Sequence, residues 1–263
     1  EMIQSFNIFL KYNKENKLII VGEGDLRLKL ENEITKLYLE KRMLRIFLLG
    51  IISGFPWVLI GGALSLWLKE NDLSRSTIGW AGLIFGVYAI NFLWAPLVDK
   101  LKIPILSKKV GHRKSWIILM QLLILLCLII WSFLDPTRNL WAVIFVGLII
   151  AISSATQDIT IDALRIEQIE KHEKSSIAAG ASISVIGWWT GYKIGGVISL
   201  VSAQFFQDLG LDNYWQYSFL LVSIIIIFCS ICVLFIPEKN FKIRISQQKL
   251  ADQKILSRLG PTN

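Results

Sequence analysis

The chain has 263 residues, of which 54% are hydrophobic and 18% charged. Soluble domains carry about 25% charged residues, so this balance argues against a soluble enzyme and for a lipid-facing helical bundle with room for about six spans of some 20 residues. The net charge of +8 falls in loops between apolar runs, where it reports topology rather than nucleic-acid binding.

Residues 1–41 differ from everything after them. The chain opens on Glu1, and this segment is polar, mixed in charge and without the apolar stretch of a signal peptide. The run Lys17-Leu-Ile-Ile-Val-Gly-Glu-Gly-Asp-Leu-Arg-Leu-Lys-Leu predicts a short strand, a turn at Gly22 and Gly24, and an amphipathic helix to about Tyr38. Residues 17–38 resemble the strand–loop–helix that opens the nucleotide-sugar domain of group 1 glycosyltransferases. A full enzyme of that kind needs two domains, so residues 1–41 are expected to be a non-native or fused extension.

Six apolar runs follow, over 43–68, 77–98, 115–134, 140–160, 176–201 and 217–236. Each can cross a hydrocarbon core of about 30 Å, and in lipid the backbone must satisfy its own hydrogen bonds, so each is expected to be a helix. The expected fold class is all-α: a polytopic membrane protein with a six-helix unit over 42–237, then a tail or linker over 238–263. Lys41, Arg42 and Arg45 precede the first run. Lys100, Lys102, Lys108, Lys109, Arg113 and Lys114 lie between the second and third. Arg165, Lys171 and Lys174 lie between the fourth and fifth, and Lys239, Lys242, Arg244 and Lys249 follow the sixth. The other three loops hold only Lys69, Arg75 and Arg138. The positive-inside rule therefore predicts both termini in the cytoplasm. Trp67, Trp131, Trp141 and Trp215 are expected at the outer interface, and Trp94 and Trp116 at the inner one. Cys127, Cys229 and Cys232 lie in apolar runs and read as small buried hydrophobes. With His112 and His172 in charged loops, nothing has metal-ligand spacing, and no cofactor is implied.

Three constellations can carry function. In Ser153-Ser-Ala-Thr-Gln-Asp-Ile-Thr-Ile-Asp-Ala-Leu-Arg, Asp158, Asp162 and Arg165 are spaced to share a helix face. Asp158, beside Gln157, lies at or inside the inner edge of the membrane, where a charge is costly and usually functional; the plainer reading is an interfacial cluster. In Gly187-Trp-Trp-Thr-Gly-Tyr-Lys-Ile-Gly-Gly, Lys193 is too deep to reach the cytoplasm and must face a cavity, a counter-ion or the outer interface. Trp188, Trp189 and Tyr192 beside it can stack on sugar rings or face lipid. Gly187, Gly191 and Gly195 repeat every four residues, as do Gly50 and Gly54, and Gly82 and Gly86; such spacing lets helices approach closely. Pro56 is expected to kink the first helix. The third constellation is Trp94-Ala-Pro-Leu-Val-Asp99-Lys followed by Gly111-His-Arg113-Lys114, an acid and cations that can brace helix ends in one conformation. An ordinary basic loop would look similar.

Gly54-Phe-Pro, Phe92-Leu-Trp-Ala-Pro-Leu-Val-Asp, Ala155-Thr-Gln-Asp-Ile, Ile161-Asp-Ala, Ala179-Gly-Ala-Ser-Ile-Ser-Val-Ile-Gly and Gly191-Tyr-Lys together resemble the AmpG-type permeases, a branch of the major-facilitator superfamily. That family carries arginine where Lys193 stands. The resemblance implies an inner-membrane secondary transporter, not an enzyme, that imports anhydro-muropeptides and is proton-coupled. It implies a sugar–peptide substrate, the lipid bilayer as surroundings, and a C-terminal six-helix half beyond this chain as partner. Substrate or proton coupling is expected at Asp158, Asp162, Gln157, Lys193, Tyr192, Trp188 and Trp189. Conformational gating is expected at Asp99, Arg113, Lys114, Arg165, Gly187, Gly191 and Gly195. The alternatives are a related permease for another substrate such as acetyl-coenzyme A, or a membrane-associated glycosyltransferase fragment.

Overall fold

The computed structural model describes residues 27–169 and 173–238. The expected strand and glycine turn before residue 27, Lys171, His172 and the tail from Lys239 onward lie outside the described residues. The chain divides into two units, 1–39 and 40–263. In the first, helix α1 spans Arg27–Tyr38, where the amphipathic stretch was expected.

The second unit is all-α among the described residues. Helix α2 runs Lys41–Glu70, with a π-helical stretch over Leu59–Ala63. Helix α3 runs Arg75–Leu93 and contains 3-10 turns; Ser74 starts it by accepting a hydrogen bond from the Thr77 amide at 3.1 Å. Two short helices, α4 (Ala95–Lys100) and α5 (Leu106–Val110), make the basic connection. Then come α6 (His112–Trp131), α7 (Leu140–Ile166), α8 (Lys174–Asp208) and α9 (Tyr214–Leu234). Five helices, α2, α3, α6, α7 and α9, are long and apolar enough to cross a membrane. Helix α8 covers the fifth expected run and has 35 residues. Its glycines, serines and Lys193 make it less apolar than the other five. The protein is a polytopic α-helical membrane protein.

In lipid, helices gain little from hiding apolar surface from one another, so close packing and interhelical hydrogen bonds hold the bundle together. Helices α2 and α8 pack backbone to backbone. A Cβ added at Gly50 would lie 2.6 Å from the Ser184 carbonyl oxygen, and one at Gly54 would lie 2.8 Å from the Trp188 carbonyl carbon. Gly187 and Gly191 meet the backbone at Phe47 and Ile51 in the same way, and Gly195 meets the Phe55 ring. Gly82 and Gly86 have nothing within 4 Å and form no such seam among the described residues. The apolar core has two parts. Trp67, Trp131, Trp215 and Phe219 belong to one; Leu49, Ile117, Ile161 and Val233 belong to the other, nearer the basic end. Three of the tryptophans expected in an outer interfacial belt are thus buried against one another, with Trp131 and Phe219 at 5.1 Å between ring centres. Trp141 is exposed. The Trp131 indole donates to the Val143 carbonyl at 3.1 Å, which satisfies its polar atom inside the bundle. Cys127 and Cys229 are buried, Cys232 is half-buried, and all three are free.

Candidate functional site

The site grows from a gap in a helix. Pro56 has no amide hydrogen, so the carbonyl of Ile52, one turn earlier, loses its helical donor. Gln157 on α7 supplies a replacement, its Nε2 donating to Ile52 O at 3.0 Å. This bond brings α7 against α2 one residue from Ser53. The Ser53 hydroxyl donates to Asp158 Oδ1 at 2.6 Å. No cation pairs with Asp158 among the described residues. Tyr88 of α3 reaches in from the third side, close to Ser154 and within electrostatic range of Asp158. The Trp94 indole donates to Thr156 Oγ1 at 3.1 Å and holds the end of α3 to the same stretch of α7.

Tyr88 is also part of a cluster of rings. Trp57 is 4.7 Å from Tyr88, 4.9 Å from Phe85 and 5.6 Å from Trp188, measured between ring centres. Trp188 stacks on Tyr192 at 5.6 Å with an interplanar angle of 3°. Trp57, Phe85, Tyr88, Trp188 and Tyr192 are each half-buried, so their faces are only partly covered by this chain. Trp189 touches Trp188 edge-on at 5.2 Å but is 51% exposed on the outer side of α8. Beyond the rings, a cavity of about 430 Å³ opens between α2, α3 and α8, with Val58, Gly61, Ser65, Ile78 and Ser199 in its wall.

The structure joins some of the residues proposed from sequence and separates others. Gln157 and Asp158 both bond to α2, and Trp188 and Tyr192 connect to them through the rings of Trp57 and Tyr88. Asp162 has turned away; its side chain is 63% exposed and pairs with Arg165 at 3.0 Å. Lys193 is exposed among the apolar residues Trp189, Ile194 and Val197 of α8, with no hydrogen bond or ion pair among the described residues.

The basic end is organised differently from the sequence reading. Asp99 is exposed at the end of α4, with no ion pair to the Gly111-His-Arg-Lys segment among the described residues. Arg113 Nε instead pairs with Glu167 at 3.0 Å. Glu238, just past α9, accepts the backbone amides of Arg113 and Lys114 at 2.8 and 3.1 Å and so caps α6. Gly111, at φ 109°, makes room, because a Cβ there would strike the Glu238 carboxylate. Lys114 Nζ donates to the Leu234 carbonyl at 3.2 Å. Arg42 joins the start of α2 to Glu173 and Ser176 before and within α8, at 2.8 and 3.2 Å. Sequence reasoning missed Ser53, Trp57, Phe85, Tyr88, Glu167 and Glu238. Two of these carried a signal: an acid at a helix C-terminus opposes its own helix dipole, which points to Glu167 and Glu238 serving a neighbouring element.

These residues fall within a recognised family. The family model described as Major Facilitator Superfamily matches residues 46–259. The chain belongs to the Major Facilitator Superfamily. It is 36% identical over 207 residues to a Rickettsia felis transporter named AmpG 4, covering 79% of this chain and 48% of that protein. It is 30% identical over 230 residues to the anhydromuropeptide permease of Escherichia coli K12, covering 88% of this chain and 44% of that one. It is 39% identical over 155 residues to AmpG 1 of Rickettsia conorii, covering 59% and 36%. The chain therefore spans about half, or less, of the length of the curated relatives it matches. The AmpG-type resemblance read from the motifs agrees with these relatives, and membership of a transporter superfamily over this range disposes of the glycosyltransferase alternative for the membrane unit.

Proposed function

We propose that residues 42–237 form one six-helix half of a proton-coupled inner-membrane importer of anhydro-muropeptides, with 1–41 outside that unit and 238–263 leading toward a second half. One observation carries this reading. A carboxylate held by a neutral hydroxyl, Asp158 on Ser53, stands beside partly covered aromatic faces from three helices. The rings suit the apolar faces of sugar rings, and a few polar groups among them fix orientation, as in other small-molecule sites. Asp158, half-buried on an apolar stretch of α7 and without a cation partner among the described residues, is a group whose charge is costly enough to be functional. It takes up a proton on one side of the membrane and gives it up on the other as the half rocks. Helix α8 serves as the sixth crossing; its close seam with α2 lets the two move as a pair. The exposed apolar faces of α3 and α8, including Leu83, Trp80, Val185 and Val197, are where the second half seats. Lys193 meets an anionic group of substrate or partner there. The basic end faces the cytoplasm, which places both termini inside.

Asp158→Asn in the full-length transporter tests the reading. It is expected to abolish gradient-driven uptake while expression stays normal, and Asp162→Asn to cost far less, because its carboxylate is already exposed. If Asp158→Asn accumulates muropeptide like the wild type with the same pH dependence, the coupling site lies elsewhere.

A further inference from the structure

The two apolar parts of the core are separated by a polar layer. On α6 the buried ridge runs Ile117, Gln121, Ile124, Leu128, Trp131; on α7 it runs Val143, Gly147, Ile150, Ser154, Gln157, Ile161, Leu164. The helices are antiparallel. Trp131 meets Val143 and Gly147 at one end. Ile117 and Ile161 share the second core at the other, and Arg113 meets Glu167 beyond it. Gln121, one turn from Ile117, is therefore level with Ser154 and Gln157.

All three residues are 0–1% exposed. Both amide atoms of Gln121 and Gln157 Oε1 have no hydrogen-bond partner within the protein, although Gln157 Nε2 is bonded to Ile52; the Ser154 hydroxyl lies close to the Tyr88 hydroxyl with no bond of good geometry between them. A buried polar atom left unpaired is costly, and three such atoms on facing helices, with the Ser154 hydroxyl one turn away, point to a shared partner. We propose that Gln121, Ser154 and Gln157 enclose an internal water site at mid-bundle, through which α6 holds the stretch of α7 that carries Asp158. The donor set selects the ligand. A water molecule accepts from Gln121 Nε2 and donates to Gln157 Oε1 or Gln121 Oε1, and it has the two to four polar partners that buried waters need. A metal cation would satisfy the oxygens but leave the Gln121 donors unpaired. The water sits one helical turn from Asp158, and losing it orphans groups on both helices.

The test is a double-mutant cycle on the chain in lipid nanodiscs, read as melting temperature. Gln121→Met keeps the volume and removes the polar atoms. It is expected to lower the melting temperature by several degrees, and Ser154→Ala added to it is expected to cost much less than Ser154→Ala alone, because the two share one water. A rise in melting temperature for Gln121→Met would mean a dry, unpaired amide and would overturn the proposal, as would additive losses. A sodium-dependent rise in the wild type that is absent in Gln121→Met would assign the site to a cation instead. Should Gln121→Met fail to fold, a wild-type density map that resolves ordered water decides. Density bridging Gln121 and Gln157 supports the site, and a direct bond between them or empty space refutes it.

Discussion

Replacing Gln157 by leucine isolates the contact on which the site is built. The substitution keeps the volume but removes the donor that Pro56 leaves wanting at Ile52. An interhelical hydrogen bond in a membrane protein is worth about 0.6–1.7 kcal/mol, whereas a buried carbonyl stripped of its donor costs about 1–3 kcal/mol. Ile52 is 3% exposed, so the second figure governs, and the expected loss is about 2 kcal/mol, or roughly 4–8 °C in melting temperature. Pro56→Ala restores an amide that can reach Ile52 within α2. In that background Gln157→Leu is expected to cost about 1 kcal/mol less. The comparison cancels every other consequence of the leucine, including any effect on the proposed water. Thermal unfolding of the four proteins, followed by the fluorescence of the ten tryptophans, reads the cycle. Equal losses in the two backgrounds would refute the account of Gln157 as the donor for a proline-orphaned carbonyl.

Three further outcomes follow from the packing. Gly54→Ala would push a methyl carbon to 2.8 Å from the Trp188 carbonyl carbon, well inside the roughly 3.5 Å of carbon–carbon contact; it is expected to cost about 3 kcal/mol, while Gly86→Ala, with open space around it, changes melting temperature little. Glu238→Ala removes the acceptor of two α6 amides and is expected to cost about 1 kcal/mol, measurable as faster amide hydrogen exchange at Arg113 and Lys114; unchanged exchange there would show the cap to be idle. Single cysteines at positions 139 and 213 are expected to react with an impermeant thiol reagent added from outside, and one at position 109 is not; labelling at 109 in intact cells would invert the proposed orientation.

The run lengths and the loop charges could be read directly from sequence, because apolar length and basic flanks are properties of local composition that a bilayer imposes on any chain. So could the place of Asp158, since a carboxylate inside an apolar run needs no partner to be conspicuous. Gly50, Gly54, Gly187 and Gly191 also announced a close approach. Spacing alone could not say that these two pairs meet each other while Gly82 and Gly86 meet nothing, because which faces touch depends on how the helices cross. The partners of the site were hidden for the same reason. Ser53 and Asp158 are 105 residues apart, and Tyr88 and Trp57 look like ordinary lipid-facing aromatics until α2, α3, α7 and α8 come together. The Arg113 contact went to Glu167 rather than Asp99 because α7 ends beside α6 with its acid half-buried, while α4 leaves Asp99 in the open. Local chemistry marks which groups are costly to bury; only the packing of distant helices decides which neighbour relieves each of them.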